Sequence, residues 1–251
     1  MTTGLVQRLR EAGCVFAEDE ARLLVEAARD DAHLESLVAR RVAGEPLEPL
    51  LGWVEFCGLR LAIDPGVFVP RRRTEFLVAS AARVTRPGAV LVDLCCGSGA
   101  VGAALLADDE TLDLYACDIE AAAVTCAGRN LGPDRVYPGD LFTALPDTLH
   151  GRVDVLVANA PYVPTAEIPM MPTEARDYES AVALDGGADG VDVHRRIAVD
   201  APRWLVPGGR LLIETSGRQA PTTAASMQRA GLTTQIEHDD ELDATVVIGT
   251  V

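Results

Sequence analysis

The spacing of apolar residues changes twice along this chain. Up to residue 43, Leu5, Leu9, Leu23, Leu24, Leu34, Leu37 and Val38 recur at helical intervals among Arg, Glu and Ala. That period predicts a small cap of two or three helices, punctuated by Gly13 and by Gly44-Glu45-Pro46. From Trp53 to Ile63 apolar and polar residues alternate, the rhythm of a β-hairpin. Beyond Ala89 short apolar runs trade places with helical segments. Strands are predicted over 89–94, 112–117, 135–137, 153–158 and 210–215, and helices over 101–106, 121–129 and 219–230. Residues 233–237 and 244–248 alternate well enough to close the sheet as a final pair, and Pro207-Gly208-Gly209 reads as a turn before 210–215. Strand and helix in alternation imply an α/β fold, a doubly wound, mostly parallel seven-stranded sheet beside a small helical N-terminal domain. The chain divides accordingly into a helical cap (1–44), a hairpin and linker (45–80) and the α/β domain (81–251).

One apolar run, Val153 to Ala158, stops abruptly at Asn159-Ala160-Pro161-Tyr162. Ligands of open α/β sheets sit just beyond the carboxyl ends of the strands, so these four residues stand where chemistry would be done. Asn159 carries an acceptor and a donor on one amide. Pro161 fixes its own φ and holds Ala160 extended, which lets the Ala160 carbonyl point outward beside the Asn159 side chain. Tyr162 adds a flat face. Two acceptors and a ring make a clamp for a planar NH2 group. A strand ending in an ordinary Asn/Pro turn has the same letters, so the reading needs support from elsewhere.

That support lies at the ends of the preceding strands. Asp93-Leu94-Cys95-Cys96-Gly97-Ser98-Gly99 ends the first strand of the α/β domain, and Gly97 and Gly99 allow a tight turn with close backbone approach to a ligand. The third glycine of the dinucleotide fingerprint and the lysine of a phosphate loop are absent, so pyrophosphate is not favoured. Asp93 would repel a phosphate and suits an ammonium or amino-acid group. Asp118, at the end of the second strand, can accept both hydroxyls of a ribose. Asp140 follows the third and can accept from an adenine amino group, with Leu141 against the ring. Each aspartate alone could be a helix N-cap. Together they describe a nucleoside that carries an amino acid, S-adenosyl-L-methionine.

Composition narrows the partners. The chain has 251 residues and a formal net charge of −16, and all 22 of its basic residues are arginine. Such a charge speaks against grip on a phosphate backbone, so no nucleic-acid partner is expected. Arg71-Arg72-Arg73 is a local exception, suited to a substrate carboxylate or a neighbouring acidic loop. The six cysteines show no metal-ligand spacing, so neither metal nor disulfide is expected, and a reduced, cytoplasmic compartment is the simplest setting. No apolar run is long enough to span a membrane. His33, His150, His194 and His238 lie outside every motif and read as structural.

From about residue 45 to 251 the chain resembles class I methyltransferases with a Rossmann-like sheet, and the Asn-x-Pro-Tyr tetrad narrows the resemblance to the protein-(glutamine-N5) methyltransferases that modify peptide release factors. Phe56-Cys57-Gly58, Val69-Pro70-Arg71, Asp93 to Gly99, Asp118, Asp140, Ala183 to Gly190 and Glu214 carry it. The resemblance implies S-adenosyl-L-methionine as cofactor, held by Asp93, Cys95, Cys96, Gly97, Ser98, Gly99, Asp118, Asp140, Leu141 and Asn159. It implies a release-factor-like protein substrate against Phe68, Arg71, Asn159, Ala160, Pro161 and Tyr162, with Asn159, Pro161 and Tyr162 closest to the chemistry. Four departures mark a side branch: Cys95 stands where the family has glycine, Ala160 where it has proline, Arg72-Arg73 where it has Pro-Glu, and Glu48 where glutamine is usual. Cys95 keeps the loop if its φ is negative. Two other readings remain open on the residues: a small-molecule or adenine amino-group methyltransferase with the same clamp, and a degenerate, non-catalytic binding module.

Overall fold

The structure, a computed structural model, describes residues 2–251. Four helices open it: α1 (Thr2–Glu11), α2 (Ala17–Ala27), α3 (Asp31–Val42) and the short α4 (Leu47–Leu51). Leu9, Leu24, Leu37 and Leu50 meet in one small core, as their helical spacing demands. Asp30 caps α3 by accepting from His33 N at 2.7 Å. Arg41 is buried on α3, bonded to Glu20 of α2 at 2.6 Å and to Glu174 at 2.5 Å. Loss of either carboxylate would leave a buried charge poorly matched.

The alternating stretch forms β1 (Trp53–Phe56) and β2 (Leu59–Ala62), an antiparallel hairpin turned at Cys57 and Gly58. A single helical turn, 72–74, leads into α5 (Glu75–Ala82). The main sheet then builds in order: β3 (Val90–Leu94), α6 (Ala100–Asp108), β4 (Asp113–Asp118), α7 (Ala121–Leu131), β5 (Val136–Pro138) and β6 (Val153–Ala158). Two short helices, α8 (Thr173–Tyr178) and α9 (Ala181–Leu184), precede α10 (Asp192–Trp204), β7 (Leu205–Thr215), α11 (Ala220–Arg229), β8 (Thr233–Asp239) and β9 (Ala244–Thr250).

Seven strands pair in the order β5-β4-β3-β6-β7-β9-β8, parallel up to β7 and antiparallel for β9 and β8. Val92, Leu94, Leu156 and Ile213 face one core with Ile197 and Trp204, while Leu91, Val155, Val157 and Leu212 face the other with Leu105 and Leu114. Helices cover both faces, so these strands are apolar throughout rather than alternating.

Two local features differ from the sequence reading. The stretch 205–215 is one strand with an outward loop: Val153 pairs with Leu205, and Val155 next pairs with Arg210. Pro207-Gly208-Gly209 therefore lies inside β7 and does not precede it. Helix α10 escaped prediction. Its buried positions His194, Ile197, Ala198, Ala201 and Trp204 keep the helical period, but an Arg pair and Pro202 interrupt the apolar pattern.

Candidate active site

Register decides which residues meet. Leu94 pairs with both Cys117 and Ala158, so Cys95, Asp118 and Asn159 leave the sheet side by side. Ala158 is level with Ile213, which brings Glu214 to the same edge. One cavity at this edge is lined by Asp118, Gly139, Leu141, the Cys95–Ser98 loop, Asn159 and Tyr162.

The loop from Cys95 to Gly99 is wound through left-handed backbone at Cys95 (φ +56°), Gly97 (+56°) and Gly99 (+77°). The negative φ set as the condition at Cys95 is not met, and the loop is kept with a left-handed cysteine. The turn has to bring Cys96 N onto the Cys117 carbonyl at 3.0 Å and Gly99 N onto the Cys96 carbonyl at 2.7 Å. It does so at a left-handed cysteine, a strain of about 1–2 kcal/mol. The two glycines serve different ends. A Cβ on Gly97 would meet nothing within 4 Å, whereas one on Gly99 would meet Leu131 of α7 at 2.8 Å. Gly97 keeps the cavity wall bare, and Gly99 lets the loop settle on a helix.

Three carboxylates follow the rim. Asp93 is fully buried and accepts from Gly102 N of α6 at 3.0 Å. Gly102 admits that approach, since its Cβ would stand 3.3 Å from the same oxygen. Burial pushes the Asp93 carboxyl up to about 7, against the Gly102 hydrogen bond and helped by Asp118. Asp118 accepts from Gly97 N and Glu120 N, both at 2.9 Å, and is raised chiefly by burial. Each of its oxygens keeps a second lone pair, enough for two ribose hydroxyls. Asp140 accepts from Arg196 Nη2 at 2.6 Å, a half-exposed pair on the cavity wall. Leu141, beside it, is buried at φ +50°. A cationic amino-acid ligand fits this set: it would give Asp93 the counter-charge it lacks, and the bare Gly97 wall would admit it. Ser98 Oγ is buried without a partner among the described residues, and Cys96 is buried in the same loop.

Opposite lies the tetrad. Asn159 Nδ2 donates to Thr74 Oγ1 at 3.3 Å. Ala160 is buried and Pro161 lines the cavity. The Tyr162 carbonyl accepts from Gln219 Nε2 at 2.7 Å, and the same nitrogen reaches the Asp189 carbonyl at 3.0 Å. The Gly-rich stretch buttresses this backbone. Val163 N bonds the Leu184 carbonyl and Gly186 N the Val163 carbonyl. At Gly190 (φ +77°) a Cβ would stand 2.1 Å from Gln219 Nε2 and 2.3 Å from the Tyr162 carbonyl oxygen. Only glycine fits there.

Beneath the tetrad, His194 is buried against the Ala160 backbone, with Nδ1 2.9 Å from Thr223 Oγ1 and Nε2 without a hydrogen-bond partner among the described residues. Burial pushes its pKa down to about 4, so the ring is neutral. Glu214 is buried beside Thr74, Tyr162 and Arg73, and burial is the main cause of its raised pKa. Burial first, and Glu214 second, push the Tyr162 hydroxyl up to about 12.

Of the two roles left open for the arginine run, Arg71 takes the acidic loop. Its Nη2 bonds the buried Glu179 Oε1 at 2.6 Å, and the same oxygen accepts from Val69 N. Arg71 also lies over the Phe68 ring at 4.9 Å, and both residues line the cavity. The sequence reading left Thr74, Arg73, Arg196, Gly102 and His194 outside the site. Of these, only Thr74 and Arg73 carried a signal, their place beside Arg71.

The chain is similar to several known proteins. Residues 58–174 match the family described as methyltransferase small domain. A release factor glutamine methyltransferase of Geobacter sulfurreducens is 38% identical over 199 residues, covering 78% of this chain and 69% of that protein. Another, of Deinococcus radiodurans, is 32% identical over 261 aligned positions, covering 95% and 93%. Among solved structures, a methyltransferase of Pyrococcus furiosus has a TM-score of 0.58 at 15% identity, covering 77% of this chain and 89% of that one, a likeness of fold.

Proposed function

The chain belongs to the release factor glutamine methyltransferase family, and from that premise we propose how its own residues act. It is an S-adenosyl-L-methionine-dependent methyltransferase of the protein-glutamine N5 type. Its substrate, in this reading, is a glutamine side chain of a peptide release factor, met in the cytoplasm. The single observation that carries the site assignment is Asn159: its NH2 is taken by Thr74, which leaves its oxygen for an incoming amide.

The cofactor, when bound, supplies an electrophilic methyl group on a sulfonium. Asp118 would hold the ribose hydroxyls, Asp140 and Leu141 the adenine, and Asp93 with the Cys95–Gly99 loop the amino-acid end. An amide nitrogen is a poor nucleophile because its lone pair is delocalised into the carbonyl. Two hydrogen bonds from the target NH2, to Asn159 Oδ1 and to the Ala160 carbonyl, favour a pyramidal nitrogen and aim it. Pro161 keeps Ala160 extended, and Tyr162 packs on the amide plane. This is catalysis by orientation and preorganised dipoles, with no general base required. After transfer the nitrogen is strongly acidic and loses its proton to water.

The test is transfer of labelled methyl from S-adenosyl-L-methionine to a release factor, beside transfer RNA and a metabolite extract. Label on one glutamine of the release factor, lost when that residue is changed to alanine, supports the proposal. Label only on nucleic acid or small molecules refutes it.

A further inference from the structure

Behind the clamp lies a buried chain of polar groups with no role assigned so far. Glu214 at the end of β7 is 2% exposed. It faces the hydroxyls of Thr74 and Tyr162, and Arg73 Nε stands 3.7 Å from its Oε1. Neither carboxylate oxygen completes a hydrogen bond of ordinary geometry among the described residues. Thr74, itself 2% exposed, sits between Glu214 and Asn159.

An asparagine amide has two ends of nearly equal size, and its hydrogen bonds decide which end faces where. Only the oxygen end of Asn159 can accept from a target NH2. Thr74 has one hydroxyl hydrogen to give. A carboxylate can only accept it. Once given to Glu214, Thr74 Oγ1 is left as an acceptor, and Asn159 must present its NH2 to it.

We propose that Glu214 and Thr74 are positioning residues for Asn159: the carboxylate takes the Thr74 hydroxyl hydrogen, Thr74 takes the Asn159 NH2, and Asn159 Oδ1 is thereby fixed toward the target nitrogen. Arg73 and the Tyr162 hydroxyl lie beside the same carboxylate, so the relay and the aromatic face of the clamp share one neighbour. The relay rests on the glutamine reading only for its substrate. It requires some acceptor NH2 at Asn159 and is independent of which molecule carries it.

The test uses Thr74→Val, Thr74→Ser, Glu214→Gln and the pair Thr74→Val with Asn159→Ala in the full chain. In Glu214→Gln the new NH2 can donate to Thr74, which frees the hydroxyl hydrogen to turn the Asn159 amide over. Thr74→Val and Glu214→Gln are expected to slow saturated single-turnover methyl transfer about 10- to 100-fold, below the loss usual for a group at the reacting centre itself. Cofactor Kd and acceptor KM stay within about 3-fold, and Thr74→Ser within about 3-fold of the natural rate. The double variant should be no slower than Asn159→Ala alone, because both changes cut one path. Thr74→Val at the natural rate, or a double variant slowed by the product of the single effects, overturns the relay. If the natural protein methylates no acceptor, the glutamine reading fails on its own. The relay is then judged by proton exchange of the Asn159 side-chain NH2, identified in nitrogen-15 spectra by its loss in Asn159→Ala. Exchange that quickens in Thr74→Val supports it, and unchanged exchange overturns it.

Discussion

The two walls of the cavity are built in different ways. On the cofactor wall Asp93 and Asp118 are held by backbone N–H groups of the strand–turn–helix units that carry them, and only Asp140 leans on a distant side chain, Arg196. Asp93 bonds Gly102 N, and Asp118 bonds Gly97 N and Glu120 N. The strand–turn–helix unit makes this wall almost by itself. The acceptor wall is collected from distant places: Thr74 before α5, Asn159 to Tyr162 after β6, Gly186 to Gly190 before α10, and Glu214 and Gln219 around the end of β7. One wall depends on local turns, the other on four segments arriving together. Damage to the second should therefore spread further than damage to the first.

Gly190→Ala should be the harshest single change on the acceptor wall. The new methyl meets backbone and Gln219 at about 2 Å and forces a left-handed alanine. A loss of about 3 kcal/mol in denaturant unfolding is expected, from overpacking and backbone strain together. A stable Gly190→Ala protein with an intact clamp would show that the Gly-rich stretch is dispensable.

The walls also respond to pH in opposite senses. His194, held at about 4 in the fold, costs nothing above its ordinary 6.5. As pH falls from 6.5 toward 4 the unfolded chain binds a proton that the fold refuses, and stability is lost. Asp93, raised to about 7, works the other way. Its contribution is fullest below the ordinary 3.8 and is lost as pH rises through 7. Each effect is about 3–4 kcal/mol across its window. His194→Gln should raise relative stability at pH 5, and Asp93→Asn at pH 7.5, in melting temperatures taken over both ranges. Equal profiles for variants and natural protein would contradict both burial arguments.

Asp118→Ala should weaken cofactor binding by about 1.5–3 kcal/mol, the worth of hydrogen bonds to a charged group. Unchanged affinity by calorimetry would remove Asp118 from the ribose. The smallest effect is expected at Cys95. Replacing a left-handed residue by glycine, Cys95→Gly should gain about 1 kcal/mol in unfolding free energy and leave acceptor-side kinetics alone. No gain would mean that contacts of the thiol offset the strain.

The same division explains what could be read from the sequence. The cofactor wall was legible because Asp93, Asp118 and Asp140 end apolar runs, and run ends survive in one dimension. Strands such as 89–94 and 153–158 were legible for the same reason, and the final pair, 233–237 and 244–248, through alternation. Asn159 was legible through Pro161 and Tyr162 beside it. His194 was not, and Thr74 and Arg73 were only hinted at by the arginine run beside them, because their importance comes from register: β6 level with β7, and α10 laid under Ala160. The φ of Cys95 stayed open because it is a property of the turn and not of the side chain. Arg196 was hidden with α10, whose arginines and Pro202 broke the apolar pattern.

The central claim is that the acceptor wall orients a target amide and does little to hold the cofactor. Asn159→Ala tests it most directly, with cofactor affinity, melting temperature and single-turnover methyl transfer measured on the same samples. The account predicts a turnover lower by a factor on the order of 10²–10³, the usual loss of a preorganised group at a reacting centre. Cofactor affinity should change no more than a few-fold and the melting temperature little. Methyl transfer near the natural rate would contradict the clamp and leave the tetrad as nothing more than the turn that ends β6.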